Sequence, residues 1–207
     1  FLTIGGTPAF SETWFDNARV PQANRVGPEN KGWTMAKALL GHERTSIGGS
    51  IPRRGSGTIA ALVDVWNGLP PERRDPVTRD EVTKLWIRAE VHRLTNIRAN
   101  QNRRMGDPGP EGSIGKMESA NLNKAIYEGV IDLLGAAGML YGSYEMTRPE
   151  FAGASPTLQQ AFLRSRANSI EGGTTEVMQN ILGERVLGLP GDVRVDREVP
   201  WSQVPRN

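Results

Sequence analysis

The run Ser169-Ile170-Glu171-Gly172-Gly173-Thr174-Thr175-Glu176-Val177-Met178-Gln179-Asn180-Ile181-Leu182-Gly183-Glu184-Arg185-Val186-Leu187-Gly188 joins a glycine pair to an amphipathic helix. Thr174 or Thr175 is suited to cap that helix, and Val177, Met178, Ile181 and Leu182 supply an apolar side for burial. Paired glycines let backbone N–H groups approach a ligand, and the helix start behind them favours anionic or electron-rich groups. On local pattern alone the same run also describes a plain corner, in which glycine ends one helix before threonine begins the next.

Working outward from this corner, the chain reads as helical on its N-terminal side almost to its beginning. From Gly32, the residues Trp33, Ala36, Leu39 and Leu40 recur by threes and fours, and the pattern resumes after Pro52 at Ile59, Leu62, Val63 and Trp66. This predicts a long, interrupted first helix. Gly68-Leu69-Pro70-Pro71 and Pro76 stop it, and Thr78 with Glu81 forms a capping-box pattern for a second helix through Leu85, Trp86, Ala89, Leu94 and Ile97. A loop at Gly106 to Gly112 precedes a third helix over roughly Ile114 to Leu134, and Ser155-Pro156 opens a fourth through Leu158, Phe162 and Ile170. The fold class is therefore mainly α, an up-down helical bundle with a short β remnant at the N-terminus. Residues 1–26 read as the tail end of a β-domain and its exit loop, 27–190 as the helical bundle domain, and 191–207 as an extended tail.

The glycine run resembles the C-terminal signature of the acyl-CoA dehydrogenases, with its G-G-T-x-E core and closing E-R-V-L-G-L-P. Far upstream, Phe10-Ser11-Glu12-Thr13-Trp14-Phe15-Asp16-Asn17-Ala18-Arg19-Val20-Pro21, Gly27-Pro28-Glu29-Asn30-Lys31-Gly32-Trp33 and Leu40-Gly41-His42-Glu43-Arg44 resemble the junction between that family's β-domain and its C-terminal helical domain. The resemblance implies a FAD-dependent α,β-desaturation of an acyl-CoA thioester, with electrons passed to an electron-transferring flavoprotein. It also implies a homo-oligomer, tetramer or dimer, sharing flavin contacts between subunits.

Such a reaction needs a carboxylate base, and the position where many members carry it, directly before the G-T, is here Gly172. Other branches place the base at the glutamate of an E-R pair on the first long helix, which Glu43-Arg44 match. Glu43 is thus the expected base, with Leu39 and Ile47 one turn to either side as apolar cover, and Glu171 is its rival. By the same resemblance, the Gly172 N–H is expected to bond the thioester carbonyl. Gly173, Thr174 and Glu176 fall at cofactor-binding positions, although many members have glutamine where Glu176 stands. Two rival expectations remain: a catalytically silent subunit of a hetero-oligomeric enzyme, or an isolated helical oligomerisation module without flavin.

Composition excludes other classes. The 207 residues hold 25 Lys+Arg against 23 Asp+Glu, which gives no broad basic footprint for nucleic acid. With no cysteine and only His42 and His92, no metal site is expected. No apolar run is long enough for a membrane span, so a cytoplasmic protein is the default expectation, and a chain opening on Phe1 reads as the later part of a longer one. Gly55-Ser56-Gly57-Thr58-Ile59-Ala60 fits the dinucleotide pattern G-x-G-x-x-A, but no strand precedes it. Arg164 and Arg166 are read as solvated charges rather than phosphate ligands, and Trp86 and Phe162 as core residues. Trp66-Asn67-Gly68-Leu69-Pro70-Pro71 departs from the family's R-x-x-F-G flavin motif, as Gly135-Ala136-Ala137-Gly138 departs from its glutamine and glycine pair. Gly48-Gly49-Ser50 suits either close helix packing or room for a bulky acyl group.

Overall fold

The computed structural model describes residues 3–6, 10–48, 51–106, 109, 111–140, 156–191, 193–196 and 199–204, the side chains of 41–42, 44–48 and 201 apart. Gly49, Ser50 and Ser155 lie outside the described residues, as do the side chains of His42, Arg44 and Ile47. Six α-helices run through this part of the chain: α1 (Gly32–Gly48), α2 (Thr58–Gly68), α3 (Pro76–Arg104), α4 (Glu111–Leu134), α5 (Leu158–Ser165) and α6 (Thr175–Arg185). Helix α4 is the hub of the bundle, since α1, α2, α3, α5 and α6 all pack on it.

The core forms where α2, α3 and α4 meet. Ile59 and Leu62 of α2, Val82 of α3, and Leu122, Ile126, Val130 and Leu133 of α4 are buried together, and Leu62 is 0% exposed. Each such side chain contributes about 1.5–3 kcal/mol by leaving water. A glycine sets the spacing, because a Cβ at Gly129 would stand 3.3 Å from Cδ1 of both Leu62 and Leu85.

Local chemistry shifts several helix ends from their expected places. Helix α3 opens at Pro76, which occupies its first turn, and Asp75 is the cap: its Oδ1 accepts from the N–H of Val77 at 2.9 Å and of Thr78 at 3.0 Å. Proline fits a first helical turn because its missing N–H would have no partner there. The expected capping box of Thr78 and Glu81 is therefore not the start signal, and Glu81 instead meets Lys84 at 3.0 Å. Helix α4 opens at Glu111, three residues before Ile114. Thr157 and Gln160 form a reciprocal capping box at α5.

Among the described residues of 1–26 no strand forms. Residues 10–26 are irregular and exposed, with a bend at Asp16–Asn17, where Asn17 has φ 48°, and a short 3-10 turn at Gln22–Asn24, and Phe10, Trp14 and Phe15 are largely exposed. A strand needs a ladder of backbone hydrogen bonds with a neighbour, and the described residues of this segment are not assigned to one. Nor does any helix among them have the length and apolarity to cross a membrane.

Candidate functional site

The glycine pair sits in a turn between two helices that both pack on α4. After α5 the chain tightens into a 3-10 turn at Arg166–Ser169, bends through Gly172 (φ 64°) and Gly173 (φ 104°), and starts α6. Thr174 caps α6, its Oγ1 accepting from the Val177 N–H at 3.3 Å. Glu176 is exposed beside it, and its carboxyl is held below the ordinary range first by its own backbone N–H and then by the Thr174 hydroxyl. Both side chains expected at the cofactor thus also hold the helix start. Of the apolar side expected on α6, Met178 is fully buried, Ile181 and Leu182 are half-buried, and Val177 is exposed.

The backbone of the turn has unclaimed hydrogen-bonding capacity. Among the described residues, the N–H groups of Gly172 and Gly173 meet no acceptor. The buried hydroxyl oxygens of Ser169 and Thr175, at either end of the bend, have no partner there either. Half-buried glycine N–H groups at a helix start suit an electron-rich group of a flavin or a thioester carbonyl, so the residues present fit such ligands in kind.

Beneath the turn lies a residue that the sequence reading passed over. Lys116 of α4 is only 1% exposed, and its Nζ donates to the carbonyl of Asn168 at 2.9 Å and to the carbonyl of Gly173. Its place at one end of the buried stripe that continues through Ala120 and Leu122 is a signal the sequence did contain. A cavity of about 320 Å3 adjoins it, walled by Ile59, His92, Lys116, Ser119, Asn168 and Glu171 among others.

In that wall, His92 Nε2 lies 2.8 Å from the Ser119 hydroxyl and 3.2 Å from the Asn96 amide nitrogen. Its Nδ1 is buried without a partner among the described residues. Burial pushes the His92 pKa below its ordinary value, outweighing the opposing pull of Glu118, while Arg88 adds to the lowering. The unfolded chain then binds a proton that the folded chain resists, so this contribution to stability is present above the unfolded pKa of about 6.5 and is lost as pH falls. Thermal unfolding followed from pH 7.5 to 5 is expected to show Tm falling below about pH 6.5, with a shallower fall in His92→Gln. Identical slopes would remove His92 as the cause.

The remaining candidates are widely placed. Glu43 stands exposed on α1, with Leu39 one turn earlier 69% exposed, so the apolar cover expected from Leu39 is not formed within this chain. Glu171 is tied to Arg164 at 2.7 Å and to the Asn168 amide at 2.6 Å. The Arg164 guanidinium holds the Glu171 carboxyl below the usual range, against the opposing pull of partial burial. Arg166 pairs with Glu128 at 2.6 Å and lies 4.6 Å over the Phe162 ring, so both arginines serve the protein itself. Gly57 (φ 78°) precedes α2, and among the described residues before it no strand forms, which argues against the dinucleotide pattern. In the departing stretch after α2, Leu69 is buried, and Arg73 beyond it donates to the Leu133 carbonyl at 2.6 Å. Among the described residues no group of three His, Cys, Asp or Glu is placed to hold a metal ion.

Helix order, the capped glycine turn and the hub helix agree with a family match over residues 30–187, to the acyl-CoA dehydrogenase C-terminal domain. The chain belongs to the acyl-CoA dehydrogenase family. It is 30% identical over 195 residues to the acyl-CoA dehydrogenase IpdE1 of Mycobacterium tuberculosis, covering 93% of this chain and 47% of that protein. It is 29% identical over 210 residues to the acyl-CoA dehydrogenase FadE26 of the same organism, covering 91% of this chain and 47% of the relative. The chain thus spans about half the length of these curated relatives. Among solved structures, the ChsE4–ChsE5 complex of Mycobacterium tuberculosis matches with a TM-score of 0.64 at 26% identity, over 87% of this chain and 46% of that one. The Tcur3481–Tcur3483 steroid acyl-CoA dehydrogenase shares the fold, with a TM-score of 0.68 at 23% identity over 86% of this chain and 45% of that one. In acyl-CoA dehydrogenase terms, the described helices are those of the C-terminal domain.

Proposed function

We propose that this chain is the C-terminal part of a FAD-dependent acyl-CoA dehydrogenase that desaturates an acyl-CoA thioester between its α and β carbons. The observation that carries the reading is the Gly172-Gly173 turn, whose N–H groups meet no acceptor among the described residues, within a chain matched to the family over most of its length. In this reading Glu43 takes the α-proton, and the Gly172 N–H donates to the thioester carbonyl as negative charge gathers there. Gly173 and the capped start of α6 at Thr174 and Glu176 border the cofactor. FAD held there would supply the acceptor for the β-hydride, with an electron-transferring flavoprotein as the onward electron acceptor. In this proposal, the exposed α1 face around Glu43 is covered by the substrate and by the remainder of the enzyme. The exposed apolar residues of the helices are covered by other subunits of a homo-oligomer, and a cytoplasmic location is part of the same reading. The proposed domain division keeps 1–26 as the link to a β-domain, 27–190 as the helical domain and 191–207 as a tail.

A second reading has its own support. Glu43 is exposed, Glu171 is engaged by Arg164, and the ChsE4–ChsE5 structure is a complex of two named components. In that reading this chain is a catalytically silent subunit and a partner supplies the base. A visible spectrum separates both from a flavin-free module: the complete enzyme should carry the two absorption bands of oxidised flavin, and the 207-residue chain alone should bind flavin weakly or not at all. A complete enzyme that shows no flavin bands, even after incubation with FAD, would overturn the proposed function.

A further inference from the structure

The glycine turn is anchored from below by a single buried cation. Lys116 reaches out of α4 and donates to two carbonyls on opposite arms of the bend, those of Asn168 and Gly173. A second side chain of the same helix face works alongside it: Asn123, seven residues on, donates to Asn168 Oδ1 at 2.9 Å. Asn168 in turn donates to Glu171 Oε1 at 2.6 Å. The arc from Asn168 to Gly173 is therefore held at both ends by the hub helix.

We propose that Lys116 is a positioning residue for the Gly172-Gly173 turn, fixing the Gly173–Thr174 peptide and, by gripping both arms, the shape of the bend that presents the Gly172 N–H. Two geometric facts carry this. Every peptide bond described is trans, so drawing the Gly173 carbonyl inward to Nζ turns the Thr174 N–H outward, away from α4. Glycines at φ 64° and 104° have little intrinsic preference for this bend over others, so the shape depends on what grips its ends. A lysine is a costly residue to bury. A methionine would fill similar space without removing a charge from water, and the charge is matched here by two carbonyl acceptors with Glu171 and Glu176 nearby. Strong, charge-assisted hydrogen bonds to the turn are what the lysine adds over an apolar side chain.

The consequence for catalysis rests on the proposed donation from Gly172 to the thioester carbonyl, and the test keeps the two ideas apart. In the complete enzyme, Lys116→Met should leave cooperative unfolding intact while exchange of the bonded amides that flank the glycines, Ile170, Glu171, Val177 and Met178, quickens by about tenfold or more. Turnover of an acyl-CoA with a dye acceptor should fall by up to about 100-fold, mainly in kcat with KM little moved, because the donor is displaced rather than the binding surface removed. Lys116→Gln, which keeps an uncharged NH2 donor group, should recover part of both effects. Exchange at the turn equal to that of the unsubstituted enzyme would overturn the positioning role. Faster exchange with unchanged kcat would uphold the clamp and remove Gly172 from the mechanism. Should Lys116→Met fail to fold, the exchange of Lys116→Gln decides: faster at the turn supports the proposal, and unchanged overturns it.

Discussion

With Glu43 replaced by glutamine in the complete enzyme, turnover of acyl-CoA substrates to a dye acceptor is expected to drop by about 10²–10⁴-fold. KM and the flavin absorbance should stay near their original values. Glutamine keeps the length and shape of the side chain and loses the ability to take a proton, so the substitution isolates proton abstraction from packing. The competing carboxylate is ill suited to the task. Glu171 is paired with Arg164 at 2.7 Å and held below the usual carboxylate range, whereas a general base works best near the operating pH. Glu171→Gln is the control, and its loss of activity should be much smaller. Glu43 is exposed in this chain, so the desolvation that sharpens a carboxylate base has to come from bound substrate and from whatever covers α1 in the complete enzyme. Full activity in Glu43→Gln would remove it from the mechanism and favour the silent-subunit reading.

Much of the bundle was legible from apolar periodicity and from glycine and proline. The helical patterns on either side of Pro52, the helix through Leu85, Ala89 and Ile97, and Thr174 as one of the two expected caps all follow from local chemistry that tertiary packing did not override. What local reading misplaced were starts with two competing signals. Thr78 and Glu81 make a plausible box, but Asp75 before Pro76 starts the helix three residues earlier by accepting from the N–H groups of Val77 and Thr78. The β remnant was unreadable for a different reason, since alternation marks a strand only where a neighbour completes the ladder. Within the site, the turn was legible because its glycines and cap are contiguous. Lys116 and His92 were not, because their roles depend on partners 52 and 27 residues away in sequence. Lysine and histidine on a helix read as solvated unless their register against the apolar stripe is followed.

Placing a methyl group on the second glycine of the turn should be among the most damaging single changes available to this chain. Gly173→Ala meets two obstacles at once. Its φ of 104° lies where L-residues rarely settle, which costs about 1–3 kcal/mol of backbone strain. A Cβ built there would also stand 2.7 Å from Met178 Cε. A methionine tip ordinarily swings aside, but Met178 is 1% exposed and packed within the fold, so displacing it adds about 1–3 kcal/mol of overpacking. Thermal or denaturant unfolding should therefore show a loss of stability on the order of 2–6 kcal/mol. A double-mutant cycle with Met178→Ala divides the two causes. If the steric clash is real, Gly173→Ala costs markedly less in the Met178→Ala background, and what remains is the backbone strain. Equal costs in both backgrounds would mean that Met178 yields freely and the conformational requirement stands alone. A negligible cost in either background would show that the turn does not depend on glycine at position 173. Because the same carbonyl accepts from Lys116, any rearrangement that relieves the clash by rotating the 173–174 peptide must also break that bond. Stability and the shape of the turn are thus expected to fail together, and hydrogen exchange at Ile170, Glu171, Val177 and Met178 should report the second while unfolding reports the first.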